Sequence, residues 1–332
     1  DSLEADVRIS RYRRVKTKNK TYYQLVFDQT PFYGNSGGQV GDQGILESDG
    51  GTVRVTDTQK ENNLTVHIVE NLPEDITATF HAVVDKQLRD ASANNHSATH
   101  LMHKALRTVL GTHVEQKGSL VTPEILRFDF SHFQKVTPEE LRKVEQLVNR
   151  AIRANYPLVE NREATKEEAE KCGAMMLFGE KYGDKVRMVR FGSSVELCGG
   201  THTGATGNIG FFKILSESAI SAGVRRIEAV TGWNAYDLAV AQRAELHDLS
   251  ALLKAKPGQL AERVQALHSD VKKLRKASEK AAASPATGAD LVQKATEVNG
   301  AKLLTAKLDG VPVKALRDIM DDVRSRIPSG VA

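Results

Sequence analysis

Cysteine is scarce in this chain, which contains only Cys172 and Cys198 among 332 residues. Two cysteines cannot form the disulfide framework of a small secreted domain, so we expect a reducing compartment, the cytoplasm. No stretch of about 18 consecutive apolar residues occurs, which excludes a membrane-spanning helix, and no signal peptide is visible. The sequence therefore predicts no membrane partner.

Aromatic residues and net charge are also low, at 5% of the chain and a formal +4. Few aromatics disfavour single-strand binding by base stacking, whereas a weak positive charge permits a nucleic-acid partner without requiring one. The basic segments 11–20 and 271–280 are interpreted as solvated surface, with contact to RNA phosphates as the alternative. Length and composition together predict a globular protein of two or three domains.

Residues 1–88 are predicted to form a small β-barrel domain with a glycine-rich motif. β-branched and aromatic residues cluster or alternate in short segments that are separated by glycine and asparagine turns. These segments are residues 7–13, 22–28, 51–59 and 65–69. Short strands at this spacing are typical of a barrel or a sandwich.

Residues 89–232 are predicted to form an α+β domain. A helix is expected from Asp85 to Gly111, because apolar residues recur at helical spacing and a glycine ends the pattern. A second helix is expected at 137–155, where Thr137 is a candidate cap and a proline follows it. The remaining candidates are a short helix at 165–173 and strands at 125–132, 186–191, 209–215 and 224–230.

Residues 233–285 are predicted to form a helical, coiled-coil-like linker. Leucine and valine alternate in steps of four and three from Leu260 to Leu274, which is the seam of a two-helix packing. This seam predicts fold-back onto the preceding helix or self-association of the chain. Residues 286–332 read as strand, turn and helix but are too few for an independent core. We therefore expect a truncated α/β domain and, since no initiator Met is present, a longer protein.

Two histidines and a cysteine–histidine pair carry the strongest chemical pattern in the chain. His96 and His100 are four residues apart in a predicted helix, so both imidazoles project from one face. Cys198 and His202 have the same spacing in a glycine-rich turn. In a chain of this length, both pairs are expected to occur together by chance only about 0.02 times. Three imidazoles and one thiolate are a sensible ligand set for Zn²⁺.

Two other interpretations of these residues stay open. Cys198 and His202 are also the types needed for a nucleophile and its base, although this chemistry requires a lowered thiol pKa and a third orienting group. Simple packing is the other alternative. Cys172 has no histidine nearby in the sequence, and we interpret it as a packing residue at a helix end.

The glycine-rich segment 36–44, SGGQVGDQG, is a candidate ligand loop. Consecutive glycines allow close approach of a backbone, and Gln39 offers both a donor and an acceptor. No Gly-Lys-Ser/Thr ending follows, so a phosphate loop is excluded. A hairpin turn is the alternative interpretation.

Five motifs in this order give the chain a family resemblance: QTPFYGNSGGQVGDQG, NNHSATHLMHKAL, LRFDFSH, ELCGGTHTGATGNIGFF and AGVRRIEAVTG. Together they resemble the editing and C-terminal part of alanyl-tRNA synthetase. The free-standing alanyl-tRNA editing proteins share part of this set. The resemblance covers residues 1–232 and extends into the helical linker, whereas the aminoacylation domain, and with it ATP binding, is absent here. One departure is Asn208, where the family commonly carries Asp.

The resemblance implies an aminoacyl-tRNA ester hydrolase that removes serine or glycine wrongly attached to tRNA(Ala). It implies Zn²⁺ bound by His96, His100, Cys198 and His202, with Cys198 also counted as a catalytic residue. It further implies Thr30 and Gln39 as catalytic and substrate-binding residues, because the family's T-x-F-Y…G-G-Q pattern lines the editing pocket. A free-standing trans-editing deacylase, a non-catalytic zinc-stabilised tRNA-binding module and an inert helical dimerisation protein are the alternatives.

Overall fold

The computed structural model describes residues 2–18, 20–175, 185–256, 258–282, 288–308, 311, 313–327 and 329–331. The chain divides into two compact units, Asp1–Ala241 and Gln242–Ala332. Across the described residues, no helix has both the length and the apolar character needed to cross a membrane.

The first unit begins with a closed barrel of six antiparallel strands, which confirms the predicted barrel. The strands are β1 (Glu4–Lys16), β2 (Thr21–Phe27), β3 (Gly44–Ser48), β4 (Gly51–Glu61), β5 (Leu64–Val69) and β6 (Thr79–Val84). Their order around the barrel is β1-β2-β5-β4-β3-β6. Alternate residues point inward and form an apolar core that includes Val7, Leu25, Leu46, Val55 and Phe80. The sequence analysis missed β3 and β6.

A long helix follows the barrel without a linker. β6 ends at Val84, Asp85 caps the next helix through its carboxylate, and α1 (Lys86–Leu110) begins. The domain boundary predicted after residue 88 therefore lies inside α1. The chain then forms β7 (Gln116–Val121), β8 (Leu126–Ser131) and α2 (Pro138–Arg153). Thr137 caps α2 as predicted, and Glu140 completes a capping box with it.

The rest of this domain supplies two small sheets. The elements are β9 (Val159–Thr165), α3 (Lys166–Lys171), β10 (Lys185–Phe191), β11 (Ser194–Leu197), a 3₁₀ turn (Thr206–Ile209), β12 (Phe212–Ser221) and β13 (Val224–Thr231). One sheet has the order β12-β13-β8-β7 and the other the order β11-β10-β9. The predicted packing role of Cys172 is wrong, because this residue ends α3 with an exposed side chain.

The core of the α+β domain lies between α1, α2 and the four-stranded sheet. It includes Leu101, Met102, Leu106, Phe128, Phe130, Val144, Val148, Ile152, Ile209, Phe212 and Ile227. This packing buries one face of α1 along most of its length, and the two predicted metal-binding histidines lie on the same helix. The helix that carries them is therefore held rigidly by tertiary contacts.

The second unit contains the end of one long helix and a small α/β arrangement. Its elements are the end of α4 (Gly232–Leu252), then α5 (Leu260–Ala282), α6 (Gly288–Val292), β14 (Thr296–Val298), β15 (Ala301–Leu303), α7 (Val313–Arg326) and β16 (Gly330–Val331). Leu291, Leu304, Ile319 and Val323 form its core. The predicted boundary between residues 285 and 286 lies outside the described residues.

The predicted heptad seam on α5 is exposed. Val264, Leu267, Val271 and Leu274 have between 39% and 68% of their surface accessible. The fold-back of α5 onto the preceding helix is therefore not formed among the described residues. Self-association through these helices stays a prediction.

Candidate metal centre

Two buried histidines on α1 form one side of the candidate site. His96 and His100 are separated by one helical turn, so their rings lie on the same face with centroids 5.1 Å apart. Asp85 fixes the start of the helix by accepting hydrogen bonds from the backbone N–H groups of Gln87 and Leu88. The cap and the packed core together set the position of both imidazoles.

The loop after β11 forms the other side. Its sequence Cys-Gly-Gly-Thr-His brings Cys198 and His202 back against α1, where the rings of His202 and His100 are 4.7 Å apart. A Cβ atom at Gly200 would lie 2.1 Å from Cε1 of His96, so only glycine fits at this position. Gly199, in contrast, has open space around its Cα.

The four predicted metal ligands meet at one point. The ligand atoms of His96, His100, Cys198 and His202 all lie within 4.8 Å of one another. Nε2 of His96 is 3.3 Å from Sγ of Cys198. Nε2 of His202 is buried and has no hydrogen-bond partner among the described residues. A buried imidazole nitrogen without a partner, aimed at a thiol and two further imidazoles, fits a bound metal ion.

Hydrogen bonds to the rings of His96 and His202 determine which nitrogen of each ring carries the proton. Oε1 of Gln39 accepts a hydrogen bond from the backbone N–H of Thr201 at 2.9 Å, as an amide oxygen must. The hydrogen bond of 2.8 Å between this oxygen and Nδ1 of His96 is therefore donated by the histidine. The Ser97 hydroxyl donates to the carbonyl of Ala93 at 2.8 Å and therefore accepts from Nδ1 of His202 at 3.2 Å. In both rings Nδ1 carries the proton, which leaves Nε2 bare for a metal.

The electrostatics of the cluster are those of a thiolate among imidazoles. Burial raises the pKa of the Cys198 thiol, but the neighbouring His96 and His100 outweigh it and hold this pKa well below its usual value. Burial, together with His96, lowers the pKa of His202 to about 3. Burial also lowers the pKa of His100, yet the charges of Glu196 and Cys198 overcome it and raise that pKa to about 9. A cation bound at His100 takes the place of this proton.

Arg187 on β10 ties the cysteine loop to the neighbouring sheet. Its guanidinium donates to the backbone carbonyls of Cys198 and Gly200, and it forms an ion pair with Glu160 at 2.7 Å. The backbone N–H of Cys198 donates in turn to the carbonyl of Arg187 at 3.1 Å. The loop is therefore held from both sides.

A cavity of about 380 Å³ opens next to the cluster. Its lining includes His96, His100 and Cys198, with Thr99, His103, Gln116, Ser119 and Glu196 beside them. Glu196 accepts from Nδ1 of His103 at 3.1 Å, and its other oxygen lies 3.7 Å from Nε2 of His100. This volume and mixture of polar and apolar lining are typical of a small-molecule site.

The sequence analysis missed the polar residues of this cavity. Thr99 lies one turn after His96 on α1, and its hydroxyl donates to the carbonyl of Asn95 at 2.8 Å. The lone pairs of that oxygen are left to accept a further hydrogen bond. Gln116 and Ser119 come from β7, a strand that was not predicted. The HSATH pattern contained Thr99, whereas nothing in the sequence pointed to Gln116 or Ser119.

Thr30 and Gln39 do not line this cavity. Thr30 lies at a separate cavity of about 340 Å³, where its Oγ1 is 2.8 Å from Nε2 of His67. Gln39 is 0% exposed, and besides its bonds to His96 and the Thr201 N–H it donates to the Thr201 hydroxyl at 2.7 Å. Gln39 thus holds the ring of His96 from behind, and Thr30 contacts His67. Direct substrate contact by these two residues stays a prediction.

His67 is expected to make stability depend on pH. Burial lowers its pKa from 6.5 to about 4, against the raising effect of its hydrogen bond to the Leu25 carbonyl. Between these two pH values the unfolded chain binds a proton at His67 that the folded chain does not bind. The contribution of neutral His67 to the free energy of unfolding is therefore complete above pH 6.5 and is lost as the pH falls from about 6.5 to 4. The expected loss is about 3 kcal/mol.

Urea unfolding of the wild type and of His67→Gln at pH 7.5 and pH 5 measures this contribution. The comparison cancels the titration of the metal ligands, which both proteins share. The wild type should lose more stability than the variant on acidification. Equal losses would show that His67 is protonated in the folded barrel.

A buried ion pair joins the barrel to α1. Nε of Arg89 lies 2.9 Å from both carboxylate oxygens of Asp42, and the two side chains are only 7% and 5% exposed. Arg89 also donates to the Pro31 carbonyl at 2.9 Å, while Asp42 accepts from the backbone N–H of Tyr33. This contact fixes the segment that carries Gln39 against the helix that carries His96 and His100.

Comparison with known proteins agrees with this architecture. The family model described as "Threonyl and Alanyl tRNA synthetase second additional domain" matches residues 186–228. The model described as "tRNA synthetases class II (A)" matches residues 6–88. The first match contains the cysteine loop, and the second covers the barrel and the start of α1. The fold and site are thus those of the additional, editing-associated domains of class II aminoacyl-tRNA synthetases.

The curated relatives narrow this class to one family. The chain is 51% identical to an alanine–tRNA ligase of Bacteroides fragilis over 98% of its length. It is 54% identical to that of Nitratidesulfovibrio vulgaris over 93% and 48% identical to that of Cytophaga hutchinsonii over 98%. The chain spans 36–38% of the length of these relatives. It belongs to the alanine–tRNA ligase family, as the resemblance of its motifs predicted.

Proposed function

We propose that this chain carries out hydrolytic editing, the removal of serine or glycine from wrongly charged tRNA(Ala). The observation that supports this most strongly is the cluster of His96, His100, Cys198 and His202, of which the first three line a cavity, in a chain of the alanine–tRNA ligase family. The reaction is attack of water on the ester that joins the amino acid to the terminal ribose. The cytoplasm is the expected place for this reaction.

The chemical need for such a site follows from the limits of binding. A pocket built for alanine cannot exclude the smaller glycine, and it rejects the extra hydroxyl of serine by only about 10²-fold. A second, hydrolytic site with the opposite preference restores accuracy. The cavity beside the cluster is polar enough to serve, since Thr99, Gln116 and Ser119 line it.

The cluster fits Zn²⁺, because it combines one thiolate with imidazoles whose Nε2 atoms are bare in His96 and His202. When bound, zinc supplies a positive charge that attracts an electron-rich group of the substrate. A four-ligand protein site is usually closed, so we assign it to substrate positioning and not to a zinc-hydroxide mechanism. Gln39 and Ser97 orient the imidazoles, and Glu196 places a negative charge between His100 and His103.

Discrimination between serine and alanine is expected to come from the cavity. The Thr99 oxygen has lone pairs available for the serine hydroxyl, and alanine would leave them unpaired at a cost of about 1–3 kcal/mol. Thr99→Val should therefore slow the hydrolysis of seryl-tRNA(Ala) by roughly 5- to 150-fold, while glycyl-tRNA(Ala) is affected less.

Deacylation rates on seryl-, glycyl- and alanyl-tRNA(Ala) test both this assignment and the earlier prediction for Thr30 and Gln39. Gln39→Ala should slow all three substrates by a similar factor, because it loosens His96. Thr30→Val is the matched control for Thr99→Val, since the same hydroxyl is removed from a different cavity. If Thr30→Val narrows the serine-over-alanine ratio and Thr99→Val does not, the sequence-based prediction is right and the cavity assignment is wrong.

A further inference from the structure

The hairpin formed by β1 and β2 carries a dense group of positive charges, here called the basic hairpin. Six cationic side chains lie within ten residues and all are exposed: Arg11, Arg13, Arg14, Lys16, Lys18 and Lys20. Tyr12, between them, is 51% exposed. None of these side chains belongs to the barrel core or to the metal cluster.

Most of this charge is not neutralised by the protein. Arg13 pairs with Glu61 at 3.1 Å and Lys20 with Glu70 at 2.7 Å. The other four cations, Arg11, Arg14, Lys16 and Lys18, make no ion pair with any residue that the structure describes. These four free charges equal the formal net charge of the whole chain, +4.

The strand register explains why no carboxylate lies opposite the free cations. Arg11 faces Val26, Arg14 faces Tyr23 and Lys16 faces Thr21, because β2 (TYYQLVF) contains no charged residue. β6 pairs with β1 only as far as Arg8. Beyond that point the described strands leave the other edge of β1 open. Arg11 and Arg13 therefore project from one face of this part of the strand, and Arg14 and Lys16 project from the other.

Like charges on one strand repel each other, and among the described residues only the ion pairs of Arg13 and Lys20 offset this repulsion. A bound polyanion would offset the repulsion, because its negative charges would be neutralised by these side chains and its own counterions would be released. We propose that the basic hairpin binds the sugar-phosphate backbone of the tRNA whose ester reaches the metal centre. This inference rests on the proposed editing function and assigns the RNA a second contact, apart from the cavity.

The distance along β2 indicates which part of the RNA is contacted. β2 runs from the hairpin turn at Thr21 to Phe27, about 20 Å at ~3.3 Å per residue, before the chain continues to Gln39 beneath the cluster. The basic hairpin extends over this length, with Lys16 opposite Thr21 and Arg11 opposite Val26, and none of its six cations lines the cavity. It meets the body of the tRNA, and its loss should weaken binding without changing the chemical step.

The test compares two variants that lose the same charge. Arg11→Gln/Arg14→Gln/Lys16→Gln removes three of the four unpaired cations of the basic hairpin, and Lys135→Gln/Arg142→Gln/Lys143→Gln removes three exposed cations before and within α2. Binding of uncharged tRNA(Ala) is measured at 50–300 mM salt. Deacylation is measured on seryl-tRNA(Ala) and on the seryl ester of the trinucleotide CCA.

For the hairpin variant, the slope of log affinity against log salt should become shallower by about 2, and KM for seryl-tRNA(Ala) should rise about tenfold. Its kcat, and its rate on the trinucleotide ester, should equal those of the wild type. The control variant should leave all four quantities unchanged. The inference would be overturned if the hairpin and control variants had the same salt slope. It would also be overturned if the hairpin variant lost binding to phosphatidylserine vesicles but still bound tRNA like the wild type. Failure of the proposed function looks different, because the wild type would then hydrolyse neither ester.

Discussion

One zinc ion per chain is the expected metal content of the purified protein, and His96→Ala or Cys198→Ala is expected to remove most of it. Each variant leaves three ligands, and a protein site with one ligand missing binds zinc much more weakly than a complete one. Cys198→Ala also removes the thiolate whose pKa the neighbouring histidines lower. Both variants should therefore lose deacylation together with the metal.

Elemental analysis after dialysis against a weak chelator measures the occupancy. Two controls come from the same chain: Cys172→Ala removes the other cysteine, which is exposed, and His132→Ala removes a histidine outside the cluster. Both controls should keep one zinc per chain. Full zinc in His96→Ala and Cys198→Ala would end the assignment of these four residues as ligands.

Loss of the Arg89–Asp42 ion pair should have the largest effect on folding. Removing one member leaves the other buried without a partner, which costs about 3–5 kcal/mol. Arg89→Met keeps most of the apolar stem, so the measured change reports the charge and its hydrogen bonds. Because the pair joins Asp42 of the barrel loop to α1, we also expect the variant to lose order around Gln39.

The control for this prediction lies on the same helix. Lys86 pairs with Asp90 one turn away, but both side chains are exposed, and Lys86→Met should cost less than about 1 kcal/mol. Urea unfolding of both variants gives the comparison. Restoring stability by adding Asp42→Leu to Arg89→Met would support the ion-pair account. Equal costs for Arg89→Met and Lys86→Met would contradict it.

Local patterns in the sequence were sufficient to predict the helices of the first unit. Asp85 and Thr137 cap α1 and α2 as their residue types suggest, and Pro138 follows the second cap. Strands were harder, because β3 and β7 are short and contain glycine. Each pairs with the strand that follows it directly, but its glycine interrupts the run of β-branched and aromatic residues that marks a strand.

The metal ligands were predictable for the same reason that the helices were. The spacing of the two pairs is a local property, so the histidines and the cysteine could be predicted from the five-residue motifs HSATH and CGGTH. Gln39 lies 57 residues before His96 in the chain, and nothing local says that the two side chains bond.

The glycine-rich segment was interpreted as a ligand loop or a hairpin turn, and in the structure it approaches a strand at Gly38 while Gly37 lines the cavity. A Cβ atom at Gly38 would lie 2.6 Å from the Ser119 carbonyl oxygen, and the Val40 N–H donates to the Val121 carbonyl at 3.0 Å. The close backbone contact that the glycines provide is therefore made with β7. Glycines indicate close approach but do not identify the partner.

The central claim is that the metal centre and its cavity hydrolyse wrongly charged tRNA(Ala). The most direct test is the release of serine from seryl-tRNA(Ala) by the zinc-loaded chain, with alanyl-tRNA(Ala) and the Cys198→Ala variant measured beside it. We predict rapid release of serine, at least tenfold slower release of alanine as an order-of-magnitude estimate, and little release of either by the variant. Serine and alanine released at the same rate, or serine released equally by Cys198→Ala, would contradict the account.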